Sequence, residues 1–148
     1  MKKRLGSSSN PKQEGNMSSE KKGRAIPVLE IVTAAGLILF WLAFFTVGLA
    51  PENPPECYFA YEHAFPLPDL VLAIVLFVSG ILLLKENPLG RTLSLVTGGA
   101  LIFLGLLDFS FNFQNGVYLI STMDLVLNAF INTWCVAFGI AVIWHNRH

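Results

Sequence analysis

Residues 31–50 read IVTAAGLILFWLAFFTVGLA, a run of twenty without a charged side chain. At about 1.5 Å of rise per residue, a helix of about 20 apolar residues covers a hydrocarbon core of about 30 Å. This stretch therefore predicts a membrane span, and the rest of the chain repeats the message. Leu70–Leu84 is apolar throughout, Leu93–Leu107 is free of charge, and Leu125–Trp144 is again uncharged. The third run is predicted to stay helical through Phe109–Gln114 and to stop at Asn115-Gly116, a pair suited to ending a helix. The second gains reach from Lys85, whose stem can lie along the apolar region while its ammonium stays in water. The runs lack strict alternation and are too few for a membrane barrel, which needs at least about eight strands. The expected fold is all-α, a four-helix transmembrane bundle with spans near 28–50, 68–85, 91–114 and 122–144.

Lysine and arginine set the predicted orientation. Lys2, Lys3, Arg4, Lys12, Lys21, Lys22 and Arg24 precede the first span; Lys85 and Arg91 flank the second connection; Arg147 follows the last span. In a four-span reading all 10 basic residues share one side. That side is expected to be the cytoplasm, with both termini on it. The connections on the other side carry Glu52, Glu56, Glu62, Asp69, Asp108 and Asp124. Gly48 and Ala50 imitate a signal-peptide cleavage site, but Pro51 follows directly and the apolar run is long, so the first span reads as an anchor. The expected location is the plasma membrane, in the manner of a prokaryotic inner membrane protein.

The membrane domain is expected over residues 25–148. Residues 1–24 are polar and basic without aromatics, the composition of a disordered tail. Lys85–Arg91 is short, and Pro88 suits the first turn of a helix, so the second and third helices are expected to form a tight antiparallel hairpin. The longer connection from Pro51 to Pro68 carries Tyr58, Phe59, Tyr61 and Phe65. It reads as an interfacial aromatic belt, lying as a cap over the bundle.

Helical phasing predicts what faces inward. Asp69, Ala73, Leu76 and Gly80 share one face of the second helix. Ser94, Gly98, Leu101, Gly105, Asp108 and Asn112 share one face of the third. Asp124, Asn128, Asn132, Cys135 and Gly139 share one face of the fourth. Small residues let membrane helices approach closely, and polar ones turn away from lipid. Each seam is small or apolar toward the basic side and acidic or amide-bearing toward the other. If the seams face one another, Asp69, Asp108 and Asp124 converge at the outer mouth. Asn112 and Asn128 then lie beside them, and His63 and Glu62 reach in from the loop. The candidate ligand site is thus Asp108, Asn112, Asp124, Asn128, Asp69 and His63. Asp69 and Asp124 also suit helix starts, where an acid is favoured by the dipole; Ser121–Asp124 resembles a capping box. Asp108 has no such excuse, since it lies toward the end of its helix. Glu30 is placed at the cytoplasmic edge of the first helix. The small multidrug transporters carry a glutamate in the middle of that helix, but here Leu39, Phe40 and Trp41 fill the matching depth.

The composition narrows function further. The chain is 53% hydrophobic and only 14% charged, and its basic residues lack the interleaved aromatics of a nucleic-acid platform, so no nucleic-acid partner is expected. Cys57 and Cys135 form no CxxC pair, which argues against a zinc site or thiol redox chemistry. No nucleotide, metalloprotease or hydrolase motif is present, and no cofactor or metal is called for. Three readings remain. The first is an accessory or structural subunit, its partners the lipid bilayer and a second copy or another membrane protein. The second is binding or transport of a cation, proton or amine-bearing ligand at an outward acidic pocket. The third is a membrane enzyme acting on a lipid, disfavoured because no nucleophile–base pair is evident.

Overall fold

The structure, a computed structural model, describes residues 11–147, with side chains from residue 24 onward. The tail expected over residues 1–24 thus lies outside the described residues, apart from the backbone of a helix that begins at Pro11. Among the described residues there are helices and no strands. They are α1 (Pro11–Val47), α2 (Tyr58–Glu62), α3 (Pro66–Leu84), α4 (Pro88–Gln114) and α5 (Thr122–Asn146), with a 3-10 turn at Val117–Leu119. Four segments are long and apolar enough to cross a membrane: Arg24–Val47, Tyr58–Leu84, Pro88–Gln114 and Thr122–Asn146.

The helix ends follow from local chemistry. Pro66 and Pro88 occupy the first turns of α3 and α4, where a missing N–H costs nothing. The Asn87 side chain accepts from the Leu89 amide at 2.9 Å and caps α4. Asn115 ends α4, and Gly116 follows at φ 68°, a left-handed turn that glycine adopts without strain. Ser121 accepts from the Asp124 amide at 3.1 Å and starts α5.

Packing runs in the order α1, α3, α4, α5, each helix lying along the next, while α1 and α5 touch only sparsely. The seams read from the sequence are the contact lines. Asp69, Ala73, Leu76 and Gly80 of α3 are buried, as are Ser94, Gly98, Leu101, Gly105 and Asn112 of α4, and Asn132, Cys135 and Gly139 of α5. The opposite arc of α5, Val126, Thr133, Ala137 and Ile140, is exposed. Glycine is required where backbones nearly touch: a Cβ on Gly139 would lie 2.6 Å from the Gly98 carbonyl oxygen, and one on Gly80 would lie 2.7 Å from that of Pro27.

Two apolar clusters result. One, around Leu76, Leu101, Phe138 and Val142, fills the body of the bundle. The other joins Trp41 and Phe44 of α1 to Tyr58 of α2 and to Val117. The Pro51–Pro68 connection therefore does more than float at an interface. Tyr58 is buried in the second cluster, and the Tyr61 ring stacks flat on Phe111 with centroids 3.6 Å apart. Folding this connection inward caps the end of the bundle to which Asp69 and Asp108 belong.

Candidate functional site: an acidic cavity between α1 and α5

Because α1 and α5 scarcely meet, a space remains between them, of about 560 Å³. Its polar wall comes from every principal element: Thr33 from α1, Glu62 from α2, Asp69 from α3, Asp108 from α4, and Asn128, Asn132 and Cys135 from α5. The aromatic wall is Phe40, Trp41, Phe65, Phe130 and Trp134. Val32, Leu39 and Phe130, which also line it, are exposed, so the cavity reaches the surface sideways between the two helices. The Trp134 indole N–H donates to the Thr33 hydroxyl at 3.2 Å and bridges the seam.

Each acid in the wall is held differently. Asp69 is buried and accepts the Trp41 indole N–H at 2.9 Å. A second groove of about 250 Å³ lies on the other flank of this pair, lined by Leu37, Ile38 and Leu70 among others. Asp108 accepts the Tyr61 hydroxyl at 2.8 Å, and the stacking of Tyr61 on Phe111 fixes that hydroxyl. Glu62 closes the roof from the last turn of α2. The three carboxylates lie within electrostatic reach of one another. None of the residues lining the cavity is basic. Among the described residues no three histidine, cysteine or acidic side chains gather as a metal-binding set. The acids are spread round the wall rather than focused on one point.

The six candidates from the sequence divide. Asp69, Asp108 and Asn128 line the cavity. Asp124 stands apart from it as the acid of a capping box: the Ser121 hydroxyl donates to its Oδ2 at 2.6 Å, and the Asn128 amide donates to its main-chain carbonyl at 2.9 Å. Asn112 is buried in the α4 seam, away from the cavity. His63 is exposed and stacks on Phe45 and Phe59. Successive helical residues point about 100° apart, so turning Glu62 inward turns His63 outward.

Sequence reasoning passed over two partners. As sequence, Trp41 and Tyr61 read as apolar filling and interface belt, yet Trp41 bonds the buried Asp69 and Tyr61 bonds the half-buried Asp108. Asn132 was placed in the α5 seam, and its amide donates to the Tyr118 hydroxyl at 3.0 Å at the cavity's edge. Glu30 lies toward the basic end of α1, at the opposite end of the bundle from the cavity's acids, and is fully buried between helices, which the reading of an edge residue did not include. Its signal was there to read, because Glu30, Ala34, Leu37 and Trp41 recur at helical spacing on one face of α1.

No family model, curated protein or solved structure matches this chain.

Proposed function

We propose that the protein binds, and in the membrane moves or senses, a hydrophobic organic cation in the α1–α5 cavity. The observation that carries this reading is the convergence of Glu62, Asp69 and Asp108 on one aromatic-walled space with no basic residue in its lining. Unpaired acids at membrane depth are costly unless something neutralises them. Aromatic faces add attraction for a cation, strongest for tryptophan. A volume of about 560 Å³ lies in the range of small-molecule sites, about 300–1,000 Å³. The dispersed acids suit an extended ammonium ion with an apolar body better than a bare metal ion. A mouth facing sideways suits a ligand that partitions into lipid. In this reading the basic end lies in the cytoplasm of a cell whose plasma membrane the chain spans, and the cavity belongs to the outer half.

The test is calorimetric titration of benzyltrimethylammonium into the full chain in lipid nanodiscs. Binding that weakens in Asp108→Asn and Asp69→Asn, and persists in Asp124→Asn, supports the reading. Identical isotherms for all four proteins reject it. Rejection would favour an accessory subunit, with the notch flanked by Val32, Leu39 and Phe130 receiving a helix of a second copy or another membrane protein. A lipid-directed enzyme has less support, since His63 stands outside the cavity.

A further inference from the structure

The second polar cluster lies at the other end of the bundle and is built unlike the first. Glu30 of α1 is fully buried. Its Oε1 accepts the Ser94 hydroxyl of α4. The Asn146 amide of α5 donates to that same hydroxyl oxygen at 2.9 Å and to the Val142 carbonyl at 2.9 Å. The Ser79 hydroxyl of α3 lies close to the carboxyl as well, but donates to the Gly90 carbonyl at 3.1 Å. All four spanning helices thus meet at one carboxyl group. Among the described residues its buried Oε2 has no hydrogen-bond partner.

A charged carboxylate with one oxygen unpaired in a dry interior is strongly disfavoured. The groups that face it are hydroxyls and an amide: Ser79 from α3, Ser94 from α4 and, through Ser94, Asn146 from α5. The charged residue bonded into the network is Arg91, whose Nε donates at 2.7 Å to the Asn146 main-chain carbonyl rather than to the acid. On α1 itself no charged residue follows Glu30, and Arg24 precedes it by six positions. A proton on the buried Oε2 would neutralise the group without opening the helices.

We infer that Glu30 is a proton-binding site that latches α1 to α3, α4 and α5 at the basic end of the bundle. With the proton on Oε2 the carboxyl is neutral and the helices close over it. When the O–H bond breaks, the electron pair stays on the carboxylate and the proton passes to water. The bare charge then draws water in, and α1 separates from its neighbours. The sealed arrangement holds one proton more than the opened one, so raising the pH favours opening. The same helix carries Trp41, the partner of Asp69, three turns further on. Release at Glu30 therefore shifts a wall of the cavity. The latch itself stands whether or not the cavity takes a cation.

The experiment is a pH titration of the full chain in nanodiscs, followed by infrared spectroscopy and by amide hydrogen exchange. The expected result is a protonated-carboxyl band that fades as pH rises and is missing from Glu30→Gln. Exchange over residues 27–37 should rise by at least about tenfold as the band fades. In Glu30→Gln, which keeps the neutral shape, it should not rise. Ser94→Ala removes the donor on Oε1 and should shift the band's frequency; this keeps the test decisive if Glu30→Gln does not fold. A wild-type chain without a band assignable to Glu30, an equal rise in exchange in Glu30→Gln, or an unshifted band in Ser94→Ala would each overturn the latch.

Discussion

The two ends of this bundle hold similar groups and treat them in opposite ways. At the basic end one acid meets two hydroxyls, one of them held by an amide, and is fully buried. At the other end three acids meet a phenol, an indole and two amides around an open space. The residues beside them differ in size, most of all between α1 and its neighbours. Around Glu30 the helices carry Ser79, Gly80, Ser94, Gly98 and Gly139, and backbones approach until no Cβ fits. Around Asp69 and Asp108 stand Phe40, Trp41, Phe65, Phe130 and Trp134, which line the open space between α1 and α5. Close packing buries one carboxyl among four helices; looser packing leaves the others on the wall of a cavity.

That contrast can be broken most severely at its tight end. Gly139→Leu forces side-chain atoms into the Gly98 backbone and should destabilise the bundle by about 1–3 kcal/mol or more. Gly99→Ala, where a Cβ meets nothing within 4 Å, should change stability by less than about 1 kcal/mol; unfolding of both variants in bicelles measures the gap. The open end is next. Asp108→Asn should weaken benzyltrimethylammonium binding by about tenfold, about 1.4 kcal/mol, with no comparable loss of stability. If it instead costs folding and leaves binding intact, the two ends are alike and the acids are packing groups. Tyr61→Phe sharpens the comparison by removing the one hydroxyl bonded to Asp108. A bond to a charged group is worth about 1.5–3 kcal/mol, so its loss should alter cation affinity measurably while leaving the ring stack on Phe111 in place. Ser121→Ala should cost about 1 kcal/mol of stability through the lost cap and leave the isotherm unchanged, since Asp124 stands outside the cavity. The smallest effect expected is that of His63→Ala, which should change neither affinity nor stability beyond about 0.5 kcal/mol.

Much of this was legible without coordinates because membrane helices have few ways to satisfy their chemistry. The backbone must bond within each span, so apolar length alone locates the helices. Small and polar residues must turn from lipid, so phasing located the contact faces, and Gly80, Gly98, Gly105 and Gly139 all lie where it put them. Phasing also placed Asp69, Asp108 and Asn128 toward one interior. It did not separate them from Asp124, because a capping acid and a lining acid share the same position on a helical wheel. It had no hold on the loop residue His63, whose place follows from how the five-residue helix α2 packs. It did not show that Glu30 is buried, because one helix's pattern does not say which polar groups the neighbouring helices bring to it.

The sequence by itself determined the four spanning segments, the faces they turn inward and the gathering of basic residues at one end. Those are properties of single helices and of charge against hydrocarbon. Tertiary structure decided that α1 and α5 part to leave a cavity, that Trp41 and Tyr61 hold its aspartates, and that Glu30 closes on four helices at once. Those depend on distances between helices, which ring sizes and backbone approach set jointly and which no one segment encodes.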